Sequence, residues 1–440
     1  MVARGAVPAA AKRPADSHPG GTGNAFMSNL RGWFASILSV SGWALLAAQE
    51  PPATVSVAAP EARLSDAPVA AWRRELLELG FAAASAMPVN PHRKNRARAQ
   101  EEVFEAALAL GQEVLAASLL ERMEDGWRRG AGSAALAVHC VERGAAAAAE
   151  PLLAQARNGL TQAGDDLQPW RRDRIRARLA RAELLLGREA AAKASLAGID
   201  PAQVGEFEVA LARTAPAEAF AAQLAAFDQV CAAGNFDAIR SAMQVCVSLY
   251  DRYHADAERA AQVEQRLVAG YAKLPHLARL ESVLEAVAVA VAHDQRSAAA
   301  RLLQRCEEWF AGGNWLPDDE YPLRGRLAQA WARAGDAERA KRLVAEAVAK
   351  FYGERDRIPD VFRARGLRQL ALASHLAGDA AESQRLLQAA VEEGLRNPNS
   401  RPRADDLVAL CCLLAREGWQ PTSALTARLA AIQQGLGQPW

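Results

Sequence analysis

Residues 327–344 (LAQAWARAGDAERAKRLV) and residues 370–387 (LALASHLAGDAAESQRLL) are two copies of one phrase, and this phrase decides the fold. In each copy, two runs of helix-forming residues meet at a glycine followed by aspartate, at Gly335 and again at Gly378. A helix–turn–helix unit that recurs at a fixed period buries its apolar face only against neighbouring units. The repeat therefore predicts an all-α array of stacked antiparallel helix hairpins.

Turn markers along the chain indicate how many units to expect. Looser copies of the phrase turn at His293 and Gly418, and the last three intervals are 42, 43 and 40 residues, which suits two helices and a turn. An interval of 59 residues before them requires an additional helix or one long helix kinked at Pro275, because proline lacks a backbone donor. The full set of turn markers is Gly111, Gly144, Gly187, Gly234, His293, Gly335, Gly378 and Gly418. These markers predict about seven to nine hairpins.

Composition narrows the class of partner. Among 440 residues, 52 Lys and Arg face 51 Asp and Glu, so the net charge is +1 and no global attraction to nucleic acid or anionic membrane is expected. None of the six cysteines forms a C-x-x-C pair, and each lies in a helical apolar pattern. They are therefore predicted to be buried free thiols. No catalytic motif is recognisable, so the prediction contains no catalytic residue, no cofactor and no metal ligand.

The first part of the chain differs from the rest. Residues 1–26 lack apolar periodicity and are expected to be disordered, whereas 27–48 combine one positive charge, an apolar stretch and a small-residue end, as signal peptides do. The alternative for 27–48 is a loosely held amphipathic helix. Residues 49–66 form a proline-rich linker, and helices follow without interruption from residue 67. We expect an irregular helical-repeat region at 67–275, and export to a bacterial periplasm or cell envelope; without a functional signal the protein would be cytoplasmic.

The C-terminal array, 276–436, resembles the tetratricopeptide repeat. With Ala340 on the family's invariant small residue of the second helix, Leu327 and Ala328 match the Leu-Gly pair and Trp331 the aromatic position. The period of 40–43 residues exceeds the family's 34, and its closing proline is missing. The resemblance implies a right-handed α-solenoid in which the first helix of each unit lines a concave groove that captures peptides or partner proteins.

Carrying the family's groove positions onto this sequence gives a mostly basic set, which implies an acidic segment or a C-terminal carboxylate as the guest. The alternative is an ordinary solvated helix face. The candidate residues are Gln329, Arg333, Arg365, Arg368, His375 and Arg416, together with Asp405.

Two other patterns suggest different functions. One is an arginine stripe at helical spacing, formed by Arg171, Arg174, Arg178 and Arg181. Asp173 and Glu183 lie beside it and no aromatic residue interleaves with it, so the pattern indicates a solvated helix face rather than an RNA-binding surface. Trp309 and Trp315 flank a Gly-Gly loop and are candidates for stacking on sugars, although core packing explains them too.

The leading prediction is an exported, non-catalytic helical-repeat scaffold that binds a protein or peptide. One alternative is an all-α carbohydrate-active enzyme or carbohydrate-binding protein, which as an enzyme would need paired carboxylates converging in one cleft. The other alternative is a helical-repeat RNA binder, which the balanced charge and the signal-like segment disfavour. A glycine-rich stretch, residues 130–135, reads as a turn between two helices rather than a dinucleotide loop.

Overall fold

A computed structural model of the chain describes residues 63–163, 167–200 and 204–440. These residues form helices and no strand, so the all-α prediction is confirmed. The helices in chain order are α1 (Ala71–Ala86), α2 (Val89–Ala109), α3 (Glu113–Arg122), α4 (Gly126–Glu142), α5 (Ala146–Ala163), α6 (Pro169–Leu185), α7 (Glu189–Leu196), α8 (Gly205–Thr214), α9 (Phe220–Ala233), α10 (Phe236–Tyr253), α11 (Ala257–Tyr271), α12 (His276–Ala292), α13 (Arg296–Ala311), α14 (Pro317–Arg333), α15 (Ala337–Glu354), α16 (Asp360–Leu376), α17 (Ala380–Leu395), α18 (Ser400–Glu417) and α19 (Ser423–Gln434).

The predicted extension at 1–26 and the signal-like segment at 27–48 lie outside the described residues, as does most of the linker at 49–66. Among the helices that are described, none combines the length and the apolar character that a membrane crossing requires.

The Gly-Asp pairs end one helix and begin the next. Gly335 and Gly378 have φ angles of 96° and 75°, the left-handed conformation that glycine adopts without a steric penalty. The following aspartates, Asp336 and Asp379, each accept a hydrogen bond from a backbone N–H three residues on, at 2.9 and 3.1 Å. This side-chain cap satisfies one of the free donors at the helix start. The pair is therefore a complete turn signal, which is why the repeat could be recognised from so short a phrase.

The helices form two layers. The inner layer consists of helices that pack side by side in chain order: α2, α4, α6, α8, α10, α12, α14, α16 and α18. The helix after most inner helices folds back behind it as an outer helix; the exceptions are α8, whose following helix α9 packs on α10, and α18. The residues matched to the tetratricopeptide pattern fill the space between the layers, since Leu327, Ala328, Trp331 and Ala340 are all buried.

The inner layer closes on itself. Helix α18 packs against α2 and α1, although these elements stand at opposite ends of the described chain. The Cys412 Sγ atom lies 3.8 Å from the Glu102 carbonyl oxygen, and the Arg73 guanidinium donates to the Arg416 carbonyl at 3.3 Å. The sequence implied an open concave groove, whereas the described helices form a ring. We call the place where α18 meets α1 and α2 the seam.

Helix α1 completes the last hairpin at the seam. It contacts α18 far more extensively than α19 does, although α19 follows α18 in the chain. The close approach occurs at Gly80, where an added Cβ would lie 3.3 Å from the Cys411 Cβ. Helix α1 thus occupies the outer position behind α18 that the chain's own next helix fills in most other hairpins.

Two ambiguous stretches are resolved by the structure. The long interval from Gly234 to His293 contains three helices, α10, α11 and α12, so the expected additional helix is present, and Pro275 stands immediately before α12 rather than inside a kinked helix. Residues 130–135 lie inside α4, so the predicted turn there is wrong. A Cβ at Gly132 would overlap a methyl carbon of Leu120, and a Cβ at Gly159 would lie 3.6 Å from the Gly130 Cα. These glycines let neighbouring helices approach closely.

Candidate functional site

The inner face of the ring can be located from side chains that join alternate inner helices. Arg333 of α14 contacts Glu417 of α18 at 2.9 Å, and Arg174 of α6 contacts Glu101 of α2 at 3.6 Å. Each pair reaches past the helix that lies between, which is α16 in the first case and α4 in the second. A contact of this kind forms only on the concave side, so these residues mark the inner face.

Two predicted groove residues are engaged with neighbouring helices. Gln329 is 5% exposed, and its amide donates to the backbone oxygen and the side-chain oxygen of Gln369 at 2.9 and 2.8 Å. Arg333 donates to both carboxylate oxygens of Glu417 at 2.9 Å. Both side chains therefore hold inner helices together, and a guest would have to compete with these bonds.

Arg368 and His375 are similarly occupied. Arg368 is 8% exposed and contacts Asp406 of α18 at 3.3 Å, so it lies between two inner helices. The His375 ring stacks on Trp419, with ring centroids 4.3 Å apart and planes within 6°. Burial lowers the pKa of His375, and the nearby Glu417 partly offsets that effect. Neither residue is an open groove position.

Arg365 and Arg416 are the predicted groove residues that remain available. Both are exposed, and neither side chain has a hydrogen-bonding or ion-pair partner within the described part of the chain. They stand on neighbouring inner helices, α16 and α18. Asp405, in contrast, is half-buried and contacts Arg401 at 3.0 Å and Arg98 at 3.8 Å.

The seam gathers carboxylates that sequence reasoning did not connect. Burial raises the pKa of Glu102, while Arg368 and Arg416 act in the opposite direction. Burial also raises the pKa values of Asp405 and Asp406. Glu102 belongs to α2, and the two aspartates belong to α18. Only ring closure brings these helices together, so no local pattern could have revealed the cluster.

A second concentration of charge lies where α2 meets α4 and α6. We define the arginine cluster as Arg98, Arg128, Arg171 and Arg174. Burial lowers the pKa of Arg128 to about 10, and the charges of the other three members add to the effect. Glu101 pairs with Arg128 and with Arg174.

Aromatic side chains accompany this cluster, contrary to the sequence-based interpretation. Trp127 and Trp170 pack edge to face, with ring centroids 5.3 Å apart, and the Arg171 guanidinium lies 5.1 Å from both rings. The two tryptophans are far apart in sequence, but each is the second residue of an inner helix, and these two helices are adjacent. This shared position is the sequence signal that could have placed aromatic rings beside the arginines.

Trp309 and Trp315 do not form an open stacking surface. Trp315 stacks on Phe310 with centroids 5.1 Å apart, and its indole N–H donates to the Phe310 carbonyl at 2.7 Å. Trp309 packs on Tyr271 and beneath Arg279. A cavity of about 400 Å³ lies beside Trp315 and is also lined by Glu320, Arg324 and Lys350. Both carboxylates that line the cavity are already paired, since Lys350 and Arg324 contact Glu320 and Arg339 contacts Glu307.

All six cysteines are free, as predicted, and five of them are buried as predicted, whereas Cys231 is half-buried. Burial raises the pKa of the Cys140, Cys306 and Cys411 thiols to about 12, so they remain protonated and unreactive at neutral pH. In the part of the chain that the structure describes, no group of three or more His, Cys, Asp and Glu residues is arranged to hold a metal ion.

Comparison of the chain with models of known protein families, with curated proteins and with solved structures found no match. The fold and the inner-face geometry therefore carry the functional inference alone. They define an all-α ring of helix hairpins with charged side chains on its concave surface.

Proposed function

We propose that this chain is a non-catalytic binding ring that holds an acidic segment of a partner protein on its inner face. The hairpin resembles the tetratricopeptide repeat, and repeats of that kind bind extended guests on their concave side. Export to the periplasm or cell envelope, through residues 27–48, is part of the proposal. It would be tested by N-terminal sequencing of the native protein, where retention of Met1 or Met27 would exclude cleavage.

The observation that carries the proposal is the pair Arg365 and Arg416. Two exposed guanidiniums without described partners stand on neighbouring inner helices. A guanidinium presents a planar fork of donors that matches a carboxylate with two parallel hydrogen bonds. Arg365 lies near the start of α16 and Arg416 in the last turn of α18, so an extended acidic segment could pair one carboxylate with each arginine without breaking any existing contact of the ring.

The size of the ring favours a segment over a folded domain as the guest. A circular ring of nine helices whose axes are about 9–10 Å apart has a radius of about 14 Å. Backbone and side chains of each helix take up about 5–6 Å of that radius. The opening of about 16 Å that remains accepts an extended peptide or one helix.

The direct test measures binding of a fluorescent oligoglutamate peptide by polarisation. The double variant Arg365→Ala, Arg416→Ala should weaken binding by at least about tenfold, because the lost bonds are charge-assisted. Arg305→Ala is the matched control, since Arg305 is exposed on the outer helix α13 and has no described side-chain partner. An oligolysine peptide should not bind.

The choice of variants follows from the contacts already described. Removal of Arg368 would leave the buried Asp406 unpaired, so weak binding by that variant could result from misfolding. Arg365 and Arg416 avoid this problem, and their melting temperature should match that of wild type. Unchanged peptide binding by the double variant, with melting also unchanged, would refute the proposed groove.

The seam carboxylates favour a second candidate, an all-α carbohydrate-active enzyme. Acids with raised pKa values concentrate at catalytic sites, and Glu102 and Asp405 approach each other on the inner side of α2 and α18. A reducing-end assay on a panel of polysaccharides would test this candidate. Activity that disappears in Glu102→Gln, while melting is unchanged, would replace the scaffold proposal; absence of activity across the panel would leave the binding ring.

A further inference from the structure

The arginine cluster breaks a rule that most helices obey. The N-terminus of a helix carries a partial positive charge, and acidic residues are favoured in its first turn. Helices α4 and α6 begin instead with Arg128 and Arg129, and with Arg171 and Arg172, and have no acid in the first turn. The N-cap Asp125 makes no capping bond. Positively charged side chains are therefore concentrated at the positive ends of two helix dipoles.

The two helix starts lie side by side. Trp127 and Trp170 hold the same place in their helices, one residue after the start, and their rings touch. Both helices are 17 residues long and run away from this point. Their N-termini thus direct free backbone N–H groups to one region. This arrangement concentrates positive potential at one rim of the ring.

The guanidiniums are held in place by the indoles. Arg128 and Arg171 lie 4.7 and 5.1 Å from the Trp127 ring, which is 7% exposed. Both Nε atoms are buried without a hydrogen-bond partner. Arg171 donates no hydrogen bond to any group in the described part of the chain, and its described contacts are the two indoles. Its remaining donors are therefore oriented and unused.

Such an arrangement costs stability unless an anion offsets it. Like charges within a few ångströms repel, and an arginine with unused buried donors loses hydration without compensation. Glu101 neutralises part of the cluster through Arg128 and Arg174, and Asp405 lies 3.8 Å from Arg98. Neither of these carboxylates pairs with Arg171.

We infer that the arginine cluster is a binding site for a phosphate-bearing ligand. A phosphate group carries close to two negative charges and several acceptor oxygens, so it can bond Arg128 and Arg171 together while facing two helix N-termini. One carboxylate has only two oxygens and one charge. The exposed Trp170, 43% accessible, adds a surface on which the planar ring of a nucleotide can stack.

Inorganic phosphate and a nucleotide share this chemistry, and three probes separate them. Isothermal titration would use inorganic pyrophosphate, ADP and adenosine with the full chain. Pyrophosphate should bind, ADP should bind more tightly through stacking on Trp170, and adenosine should not bind measurably. Equal binding of pyrophosphate and ADP would identify the free anion as the ligand and would exclude stacking.

Variants test which groups are responsible. Arg171→Gln should weaken pyrophosphate and ADP binding by at least about tenfold, because it removes a bidentate charged donor. Trp170→Ala should reduce the affinity for ADP to that for pyrophosphate. Arg305→Gln removes the same charge from an exposed site on the outer helix α13 and should change neither affinity.

Melting temperature distinguishes a binding role from a structural one. Without ligand, Arg171→Gln should melt at or above the wild-type temperature, because it relieves repulsion at a helix start. A lower melting temperature, with ligand binding retained, would show that Arg171 only packs against the indoles and would overturn the inference. Failure of wild type to bind pyrophosphate and ADP at millimolar concentration would also overturn it. Neither result affects the acidic-peptide test, which depends on Arg365 and Arg416.

Discussion

Ala340 shows how a single small side chain can set the spacing of two layers. It is completely buried in α15, at the position where the repeat pattern requires a small residue. Ala340→Leu should lower the free energy of unfolding by about 1–3 kcal/mol, because the added carbons have no room in a packed interface. Thermal or denaturant unfolding would measure the change.

Ala345 provides the control for that substitution. It belongs to the same helix but is exposed, so Ala345→Leu adds the same atoms without overpacking. Its stability should stay within about 0.5 kcal/mol of wild type. Equal stability of the two variants would show that the repeat register assigned to Ala340 is wrong.

Glu208 gives the ring a pH-dependent stability. Burial alone raises the pKa of this α8 carboxyl to about 7, well above the 4.5 expected for a free glutamate. The folded state therefore holds a proton that the unfolded state releases between about pH 4.5 and 7. The contribution of this carboxyl to stability is complete below pH 4.5 and is lost as the pH rises toward 7.

The variant Glu208→Gln tests this behaviour, because glutamine cannot ionise. At pH 8 it should be more stable than wild type by about 2–3 kcal/mol, and at pH 4 the difference should disappear. Urea unfolding at the two pH values measures both quantities. A difference that does not depend on pH would mean that Glu208 titrates normally in the folded state.

Arg368 shows how far a sequence can locate a groove residue. The helical pattern placed it on the inner helix α16, which is correct. The same repeat position in the preceding unit is Gly325, where an added Cβ would lie 2.6 Å from the Gln369 Cβ. The position therefore faces the neighbouring inner helix rather than the lumen. Helical periodicity gives the direction of a side chain but not the distance to the next helix. The sequence alone therefore could not tell that Arg365 is exposed whereas Arg368 is buried between two inner helices.

At the scale of helices, the sequence was most informative where turns are marked chemically. Every helix that the Gly-Asp turns predict is present, and the additional helix in the 59-residue interval is one of the two arrangements that the sequence allowed. The start of α4 was misplaced because glycine has two uses, ending helices and allowing close packing. Gly130 and Gly132 serve the second purpose, which depends on neighbours that local sequence does not name.

Gly325 and Gly353 allow these two situations to be compared. A Cβ at Gly325 would lie 2.6–2.8 Å from atoms of Gln369, including its backbone, whereas nothing lies within 4 Å of a Cβ at Gly353. Gly325→Ala should destabilise the ring by about 1–3 kcal/mol, since α14 and α16 must separate. Gly353→Ala should stabilise it by about 0.5–1 kcal/mol through helix propensity.

Differential scanning calorimetry of the two glycine variants would measure both effects. Opposite signs are the expected result. If Gly325→Ala were as stable as wild type, α14 and α16 would not be in close contact in solution.

At the scale of the whole molecule, closure of the ring was the feature that sequence did not supply. The resemblance to tetratricopeptide repeats implied an open groove, and each unit adds only a small rotation that residue patterns do not encode. The intervals of 33–59 residues vary the geometry further. The seam carboxylates depend entirely on closure, so they could not be predicted either.

Closure can be tested by a single cysteine. A Cβ at position 80 would lie 3.3 Å from the Cys411 Cβ, close to the separation of about 3.5–4.5 Å found in disulfides. Gly80→Cys should therefore form a disulfide with the native Cys411 under mild oxidation. Peptide mapping would identify the bond, and the oxidised chain would migrate faster in a non-reducing denaturing gel.

The same substitution in a Cys411→Ser background is the control, and it should show neither the bond nor the change in migration. Absence of the disulfide in Gly80→Cys, with the fold intact by circular dichroism, would mean that α1 and α18 are apart in solution.

Helix α1 has a consequence for synthesis of the protein. The helix emerges from the ribosome before the other described helices, yet it packs on α18, which emerges only after α2 to α17. Leu76, Leu77 and Phe81 are each at most 3% exposed in the finished ring, and the side of α1 that faces α18 remains uncovered until that moment. A chain that has not yet reached α18 therefore carries an apolar helix without this partner, and the hairpin at the seam can assemble only after α18 has been made.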